Sequence, residues 1–214
     1  MTEDEARRWI AAHVPRETEA QLARFTELLL AEMPRQNLIA ASTTDQLWAR
    51  HIVDSAQLLA LAPDSARRWI DLGAGAGFPG IVVALARSDI EMTLVESRRK
   101  RIDFLRHVVE QLGIGARVTV AGRRLEMLES AEQDVISARA FAPLDRLLPL
   151  AHRFSHAGTC WLLPKGRSAA SELEAVTASW QGRFRIVPSL TDPEAAIITA
   201  TQVQPKARAQ RERR

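Results

Sequence analysis

The densest chemistry in the chain lies between Asp71 and Gly80, where Gly73, Gly75, Gly77 and Gly80 occupy four of eight positions behind the short apolar run Trp69 to Leu72. Glycine takes positive φ without steric cost and has no Cβ to block a ligand. Pro79 suits the first turn of a helix, where its missing N–H would be unpaired in any case. The stretch reads as strand, glycine turn and helix, with the first helical N–H groups turned toward a cavity at the strand end. Met92-Thr93-Leu94-Val95-Glu96 reads as the next strand. Its terminal carboxylate can accept both hydroxyls of an unphosphorylated ribose. Gly75 to Gly80 also fits the dinucleotide pattern G-x-G-x-x-G, but Glu96 lies closer to the loop than the roughly 20 residues such a fold prefers. A tight turn without ligand is a poor account of so many glycines, because each costs chain entropy.

The fuller string, Asp71 followed by Gly73-x-Gly75-x-Gly77, looks like the first motif of S-adenosylmethionine (SAM) methyltransferases. The rest of the chain restricts the acceptor. Amine methylation commonly uses an Asn/Asp-Pro-Pro-Tyr/Phe loop after the fourth strand, whereas this chain has no tyrosine and carries Ser137-Ala138-Arg139-Ala140-Phe141 there. Carbon-5 methylation of pyrimidines needs a reactive cysteine. The single Cys160 sits in the apolar run Thr159-Cys160-Trp161-Leu162-Leu163, which reads as a buried strand. Both chemistries are disfavoured, and the residues alone reach only a SAM-type transferase without amine or C5 machinery.

These residues must be positioned by an α/β scaffold. Leu22, Phe25, Leu28, Leu29 and Met33 share one face of a helix over 17–33, preceded by another over 3–13. A third helix is predicted over 45–61, with Leu47, Ile52, Ala56 and Leu59 inward and Arg50, His51, Asp54 and Ser55 also aboard. Beyond residue 67, strands are predicted near 68–72, 91–96, 117–121, 133–138 and 158–164, alternating with helices near 79–87, 98–112, 143–155 and 168–180. That alternation is the signature of a parallel sheet. Strands near 183–188 and 195–203, joined through Asp192-Pro193, are expected to form an antiparallel hairpin at its edge. The expected fold is therefore a Rossmann-like SAM-dependent methyltransferase fold, α/β, with a mostly parallel seven-stranded sheet. Residues 1–66 form an N-terminal helical cap on the same globular unit, 67–204 the SAM-binding domain, and 205–214 a basic disordered tail.

With these pieces placed, the sequence resembles the glucose-inhibited division protein B family, bacterial methyltransferases of guanine N7 in small-subunit ribosomal RNA. The likeness runs from about Asn37 to Gly166. Asn37-Leu38-Ile39 is similar to the family's Asn-Leu-Thr element, and Arg50-His51-Ile52-Val53-Asp54-Ser55 to its Arg-His-x-x-Asp-Ser helix. Asp71 to Gly80 carries the family's Phe/Leu-Pro-Gly ending. Gly122-Arg123-Arg124-Leu125-Glu126 resembles its Gly-Arg-x-Glu segment with one extra residue, while Ser137-Ala138-Arg139-Ala140 and Leu163-Pro164-Lys165-Gly166 are similar to its later loops, Pro164 being the departure. The resemblance implies that Gly73, Phe78, Arg124, Leu125 and Arg139 line the SAM pocket, Gly73 at the methionine end and Arg124 and Leu125 at the adenine. Gly75, Gly77 and Glu96 complete the cofactor set. Arg139 and Lys165 are the candidates for aligning the base, since guanine O6 beside N7 is an acceptor that Arg or Lys can read. Arg50, His51, Arg123 and Lys165 are the candidate RNA contacts. No metal site is expected.

Composition narrows the partners. Formal charge is only +3, but Arg98-Arg99-Lys100-Arg101, Arg123-Arg124 and the tail from Lys206 to Arg214 are basic clusters, and the first two flank the cofactor loops. That placement favours a polyanionic acceptor, here 16S rRNA or a small-subunit particle by the resemblance. No apolar run reaches the roughly 18 residues of a membrane span. With one cysteine and an acidic N-terminus, a cytoplasmic location is expected, without membrane or obligate protein partner. The competing readings are a SAM methyltransferase of a small molecule or protein, an NAD(P)-dependent oxidoreductase in which Arg98-Arg99 would meet a 2′-phosphate, and an RNA-binding module without activity.

Overall fold

A computed structural model describes residues 1–206, so the expected disorder of the tail falls mostly outside the described residues. Seven strands form one sheet: β1 (Arg68–Leu72), β2 (Glu91–Val95), β3 (Val118–Ala121), β4 (Gln133–Ala138), β5 (Ser155–Lys165), β6 (Trp180–Pro188) and β7 (Ala196–Pro205). Their spatial order is β3-β2-β1-β4-β5-β7-β6. The first five run parallel, and β7 enters antiparallel between β5 and β6. The order reverses between β1 and β4, so the loops leaving these strands diverge and open a crevice at their carboxyl ends. Those loops are Gly73–Gly77 and Arg139–Phe141.

Alternating strand residues feed two cores. Trp69, Leu94, Val135, Cys160, Leu162 and Ile197 join one cluster, while Ile70, Leu72, Val95, Ile136, Trp161, Leu163 and Ile198 join the other. The first core is covered by α1 (Glu3–His13), α2 (Arg16–Glu32), α4 (Gly80–Ala86) and α5 (Arg99–Gln111). The second is covered by α6 (Leu144–Ala151) and α7 (Ala169–Val176). Burying both faces explains why the parallel strands read as near-continuous apolar runs. The expected cap therefore packs into the same core as the sheet: Ile10, Leu22, Phe25 and Leu29 are fully buried beside Trp69 and Ile81.

The third helix departs from the sequence reading. Residues 41–61 are not one helix but a 3₁₀ turn (Ala41–Gln46), a π turn (Trp48–Val53), α3 (Asp54–Ala56) and a second 3₁₀ turn (Gln57–Leu61). The cause lies far upstream. The Glu3 carboxylate accepts from the N–H groups of Trp48 (2.9 Å) and Ala49 (3.0 Å), taking donors that preceding carbonyls would hold in a regular helix. Arg7 also lies 4.4 Å over the Trp48 ring. Trp180 is only half-buried at the start of β6. Pro164 is accommodated because β4 has already ended at that register; its pairing is with Ile197 of β7.

Candidate active site

Two cavities meet at the switch point. One, of about 340 Å³, is lined by Gly73, Glu96, Arg98, Arg101, Arg123, Arg124, Leu125 and Phe141 among others. The second, about 670 Å³, is lined by Arg50, His51, Asp54, Arg139, Lys165 and Glu172 on one side and by the β6–β7 connection, including Thr191 and Asp192, on the other. Ala140 and Phe141 line both cavities. Ala140 stands at φ +52°, a conformation uncommon for a residue with a Cβ and one that clusters at functional sites.

The smaller cavity follows from the glycine loop. Gly73 has φ +72°, and a Cβ there would lie 2.6 Å from Cδ2 of Phe141, so only glycine allows the ring against the strand end. Gly77, at φ +97°, is pressed against Ile81 and Phe25. Ala74 donates its N–H to the carbonyl of Val95, tying the loop to β2. Glu96 is almost wholly buried. Its Oε2 accepts from Gly75 N–H (3.2 Å) and its Oε1 from the N–H groups of Ser97 (2.7 Å) and Arg98 (2.8 Å), with Arg101 at 3.8 Å. The N–H groups of Arg124 and Leu125 hydrogen-bond to nothing among the described residues. A carboxylate, a bare glycine edge and free main-chain donors beside a buried Leu125 fit a nucleoside whose ribose hydroxyls donate and whose base accepts.

The helix start is used differently from the sequence expectation. The Gly80 N–H donates to Oδ2 of Asp71 (3.0 Å), and Ile81 N–H to the carbonyl of Gly77, so these donors turn inward. Asp71 is fully buried, and its Oδ1 accepts from Ser137 Oγ at 2.7 Å. Burial pushes its pKa up to about 6, against the opposing pull of the Ser137 and Gly80 bonds. Asp71 thus binds β1, β4 and α4 together beneath the crevice.

The larger cavity is walled by a connected polar network. Arg139 donates to Asp54 Oδ2 (3.1 Å), to the Arg50 carbonyl (3.4 Å) and to His51 Nδ1 (3.2 Å), and lies 5.1 Å over the Phe78 ring. His51 stacks on that ring at 5.0 Å. Arg50 pairs with Asp192 (2.6 Å), and Thr191 donates to Asp54 (3.1 Å). Lys165 pairs with Glu172 (2.7 Å) and donates to the Ala142 carbonyl (2.9 Å), while Glu172 also accepts from Leu144 N–H and Ser168 Oγ. Burial and the neighbouring Arg139 and Arg50 charges push the His51 pKa down to about 3, so the imidazole is neutral.

Gly73, Glu96, Arg123, Arg124 and Leu125 thus gather at the smaller cavity, and Arg50, His51, Arg139 and Lys165 at the larger. Arg139 lines the larger cavity and not the smaller, one residue before the Ala140–Phe141 pair that lines both. Phe78 lines neither cavity; it is buried against Phe25, His51 and Arg139. Gly75 and Gly77 shape the loop from outside the cavity lining. Arg123 stands apart from the other three RNA candidates. Phe141, Glu172 and Asp192 also line the cavities, and the sequence does not single them out. Phe141 could have been marked by its place two residues after Arg139, but the other two carry no local signal. Cys160 is buried, with its thiol pushed up to about 11, as its apolar run suggested. Among the described residues no His, Cys, Asp and Glu group could hold a metal ion, and no helix is long and apolar enough to cross a membrane.

A seven-stranded sheet with one antiparallel strand inserted next to its edge, and a cavity at the carboxyl ends of its strands, define a Rossmann-like methyltransferase fold. Solved structures agree: a predicted O-methyltransferase from Agrobacterium tumefaciens superposes with TM-score 0.58 at 22% identity, covering 74% of this chain and 82% of that one. A mutant of MtNAS in complex with S-adenosylmethionine gives TM-score 0.57 at 18% identity, covering 85% and 71%. Within that class, the profile of the family described as rRNA small subunit methyltransferase G matches residues 18–194, and the chain belongs to this family. A ribosomal RNA small subunit methyltransferase G of Rhizorhabdus wittichii is 70% identical over 100% of this chain and 99% of its own length. One of Zymomonas mobilis is 52% identical over 96% of each.

Proposed function

We propose that the protein transfers the methyl group of SAM to N7 of a guanine in 16S rRNA of the small subunit, by direct in-line attack without a general base. The observation that carries this reading is the state of the larger cavity. Each titratable side chain lining it is engaged by another: Arg50 by Asp192, His51 and Asp54 by Arg139, Lys165 by Glu172. None stands ready to remove a proton. Guanine N7 asks for none, because its lone pair is already free.

When bound, SAM supplies an electrophilic methyl on a sulfonium. The chain's own part is to hold two partners in line. Glu96 and the Arg124–Leu125 main chain would hold the nucleoside end in the smaller cavity, and Gly73 the methionine end beside Phe141. Alignment of this kind contributes up to roughly 7–11 kcal/mol in favourable cases. Arg139 keeps N–H donors beyond those given to Asp54, Arg50 and His51, and these can read guanine O6. Lys165 has a different part from the one its position in sequence suggested. Its ammonium is only slightly exposed and is spent on Glu172 and Ala142, so it shapes the Ala142–Pro143 wall instead of reaching for RNA. Arg98, Arg123 and Arg124 at the rim of the cofactor cavity are placed to meet phosphates, which would make binding fall with salt.

The test is transfer of tritiated methyl from SAM to small-subunit particles from a strain lacking this gene, against wild-type particles. Incorporation confined to the deficient particles, with strand scission under N7-methylguanine chemistry, is expected. Incorporation without such scission would refute the N7 assignment. No incorporation despite SAM binding would point to a small-molecule or protein acceptor.

A further inference from the structure

His51 sits in the larger cavity with both ring nitrogens committed, and the direction of each bond can be worked out. Arginine offers only donors. The contact from Arg139 to Nδ1 at 3.2 Å therefore requires a lone pair on Nδ1, which puts the proton of the neutral ring on Nε2. Nε2 lies 2.9 Å from Thr43 Oγ1, and the Thr43 hydroxyl is 2.8 Å from the carbonyl of Ala40. The bonds thus run one way, from Arg139 through His51 and Thr43 to the Ala40 carbonyl.

We propose that His51 is a positioning residue, a neutral Nε2–H imidazole that fixes the orientation of the Arg139 guanidinium toward the acceptor. The proposal rests on the reading of Arg139 given above. Two nitrogens of the guanidinium are held by different partners. NH1 is bound by Asp54 and the Arg50 carbonyl; NH2 is bound by His51. With NH1 alone anchored, the fork pivots; with NH2 anchored as well, its plane is set. Phe78 supplies the common floor, with the imidazole stacked on it and the guanidinium above the same ring. The charged groups facing the ring are Arg139, Arg50 and Asp54, with Asp192 neutralising Arg50. An imidazolium would set Nδ1–H against a guanidinium N–H, two donors and two like charges in contact. His51 is therefore neither the base of the reaction nor a cationic RNA contact.

The experiment compares His51→Ala, His51→Asn, Arg139→Ala and the double variant H51A/R139A. It reads kcat on small-subunit particles lacking the modification, SAM affinity by calorimetry, and the ring ¹⁵N shifts of His51 by NMR. The Asn Oδ1 stands near where Nδ1 does and can accept from Arg139. His51→Ala is expected to lower kcat about 10- to 100-fold with SAM affinity within about 3-fold, the scale at which misplacement by an ångström acts. His51→Asn should recover most of that loss, and removing His51 from R139A should cost less than about 3-fold more. The ring should keep Nε2–H shifts without titrating between pH 5 and 8. Additive losses in the double variant, an Asn variant no better than Ala, or a ring that titrates in that window would overturn the proposal. Full turnover by R139A would instead overturn the reading of Arg139 itself, whatever the ring shows.

Discussion

Replacing Asp71 by Asn separates two effects of a buried carboxylate that act in opposite directions. Asp71 is fully buried with a pKa of about 6 against an ordinary 3.8. The folded state therefore holds its proton more tightly than the unfolded chain. Stability from this group is fully present below pH 3.8 and is lost as pH rises through 6. From those two values, the group alone favours the native state at pH 4.5 over pH 7.5 by about 2 kcal/mol. An Asn cannot titrate, so it lacks this slope. It also meets the site badly: its Oδ1 can accept from Ser137, but its NH₂ then faces the Gly80 N–H, leaving a buried donor unpaired at a cost of about 1–3 kcal/mol. Urea unfolding of both proteins at pH 4.5, 5.5, 6.5 and 7.5 gives the difference between them free of every other titrating group. Asp71→Asn is expected to be clearly the less stable protein at pH 4.5, with the gap narrowing by about 2 kcal/mol by pH 7.5. A gap independent of pH would refute the assignment of the raised pKa to Asp71.

Gly73→Ala must place a Cβ against Phe141 at a left-handed φ, which costs about 1–2 kcal/mol before any displacement of the ring; SAM affinity by calorimetry should fall at least about tenfold, and unchanged affinity would remove Gly73 from the cofactor site. Glu3→Gln keeps one acceptor and turns an NH₂ toward the second N–H of the Trp48–Ala49 pair. A loss of about 1–2 kcal/mol is expected, seen as a melting point lower by about 2–8 °C, with KM for the particle raised and SAM affinity kept. Cys160, with its thiol near 11, should resist iodoacetamide in the native state at pH 8 without loss of activity, since only about one thiol in a thousand is ionised there. Rapid labelling with inactivation would contradict its burial.

Much of the scaffold was legible because its signals are local. Four glycines behind an apolar strand, a carboxylate closing the next strand and the alternation of strand and helix all follow from short-range stereochemistry. Gly73 and Glu96, which line the smaller cavity, were readable for that reason, while Leu125 entered only through the family resemblance. The walls of the larger cavity were not. Helical spacing over 45–61 put Leu47, Ile52 and Ala56 inside as expected, but Leu58 is buried where Leu59 was expected, and the backbone at Trp48 and Ala49 is bonded to Glu3, some 45 residues earlier in the chain. Lys165 read as an available cation because nothing near it in sequence announces Glu172. Its pairing is a product of how α7 lies across the end of β5. Asp192 read only as part of a hairpin connection, and its partner Arg50 is 142 residues away.

That last separation bears on how the molecule comes into being. The segment carrying Arg50, Asp54 and Gln57 is joined to the β6–β7 connection by Arg50–Asp192, by Thr191 to Asp54 and by the Leu190 N–H to Gln57 Oε1, with β7 itself slotted between β5 and β6. The entropy of closing loops of that length opposes these contacts until both segments are held in place by the sheet. During synthesis β1 to β4 and the loop carrying Ala140 and Phe141 emerge well before residue 190, so every residue lining the smaller cavity is made before the far side of the larger one. A nascent chain stalled short of β7 would carry every residue that lines the smaller cavity and lack the Thr191–Asp192 side of the larger.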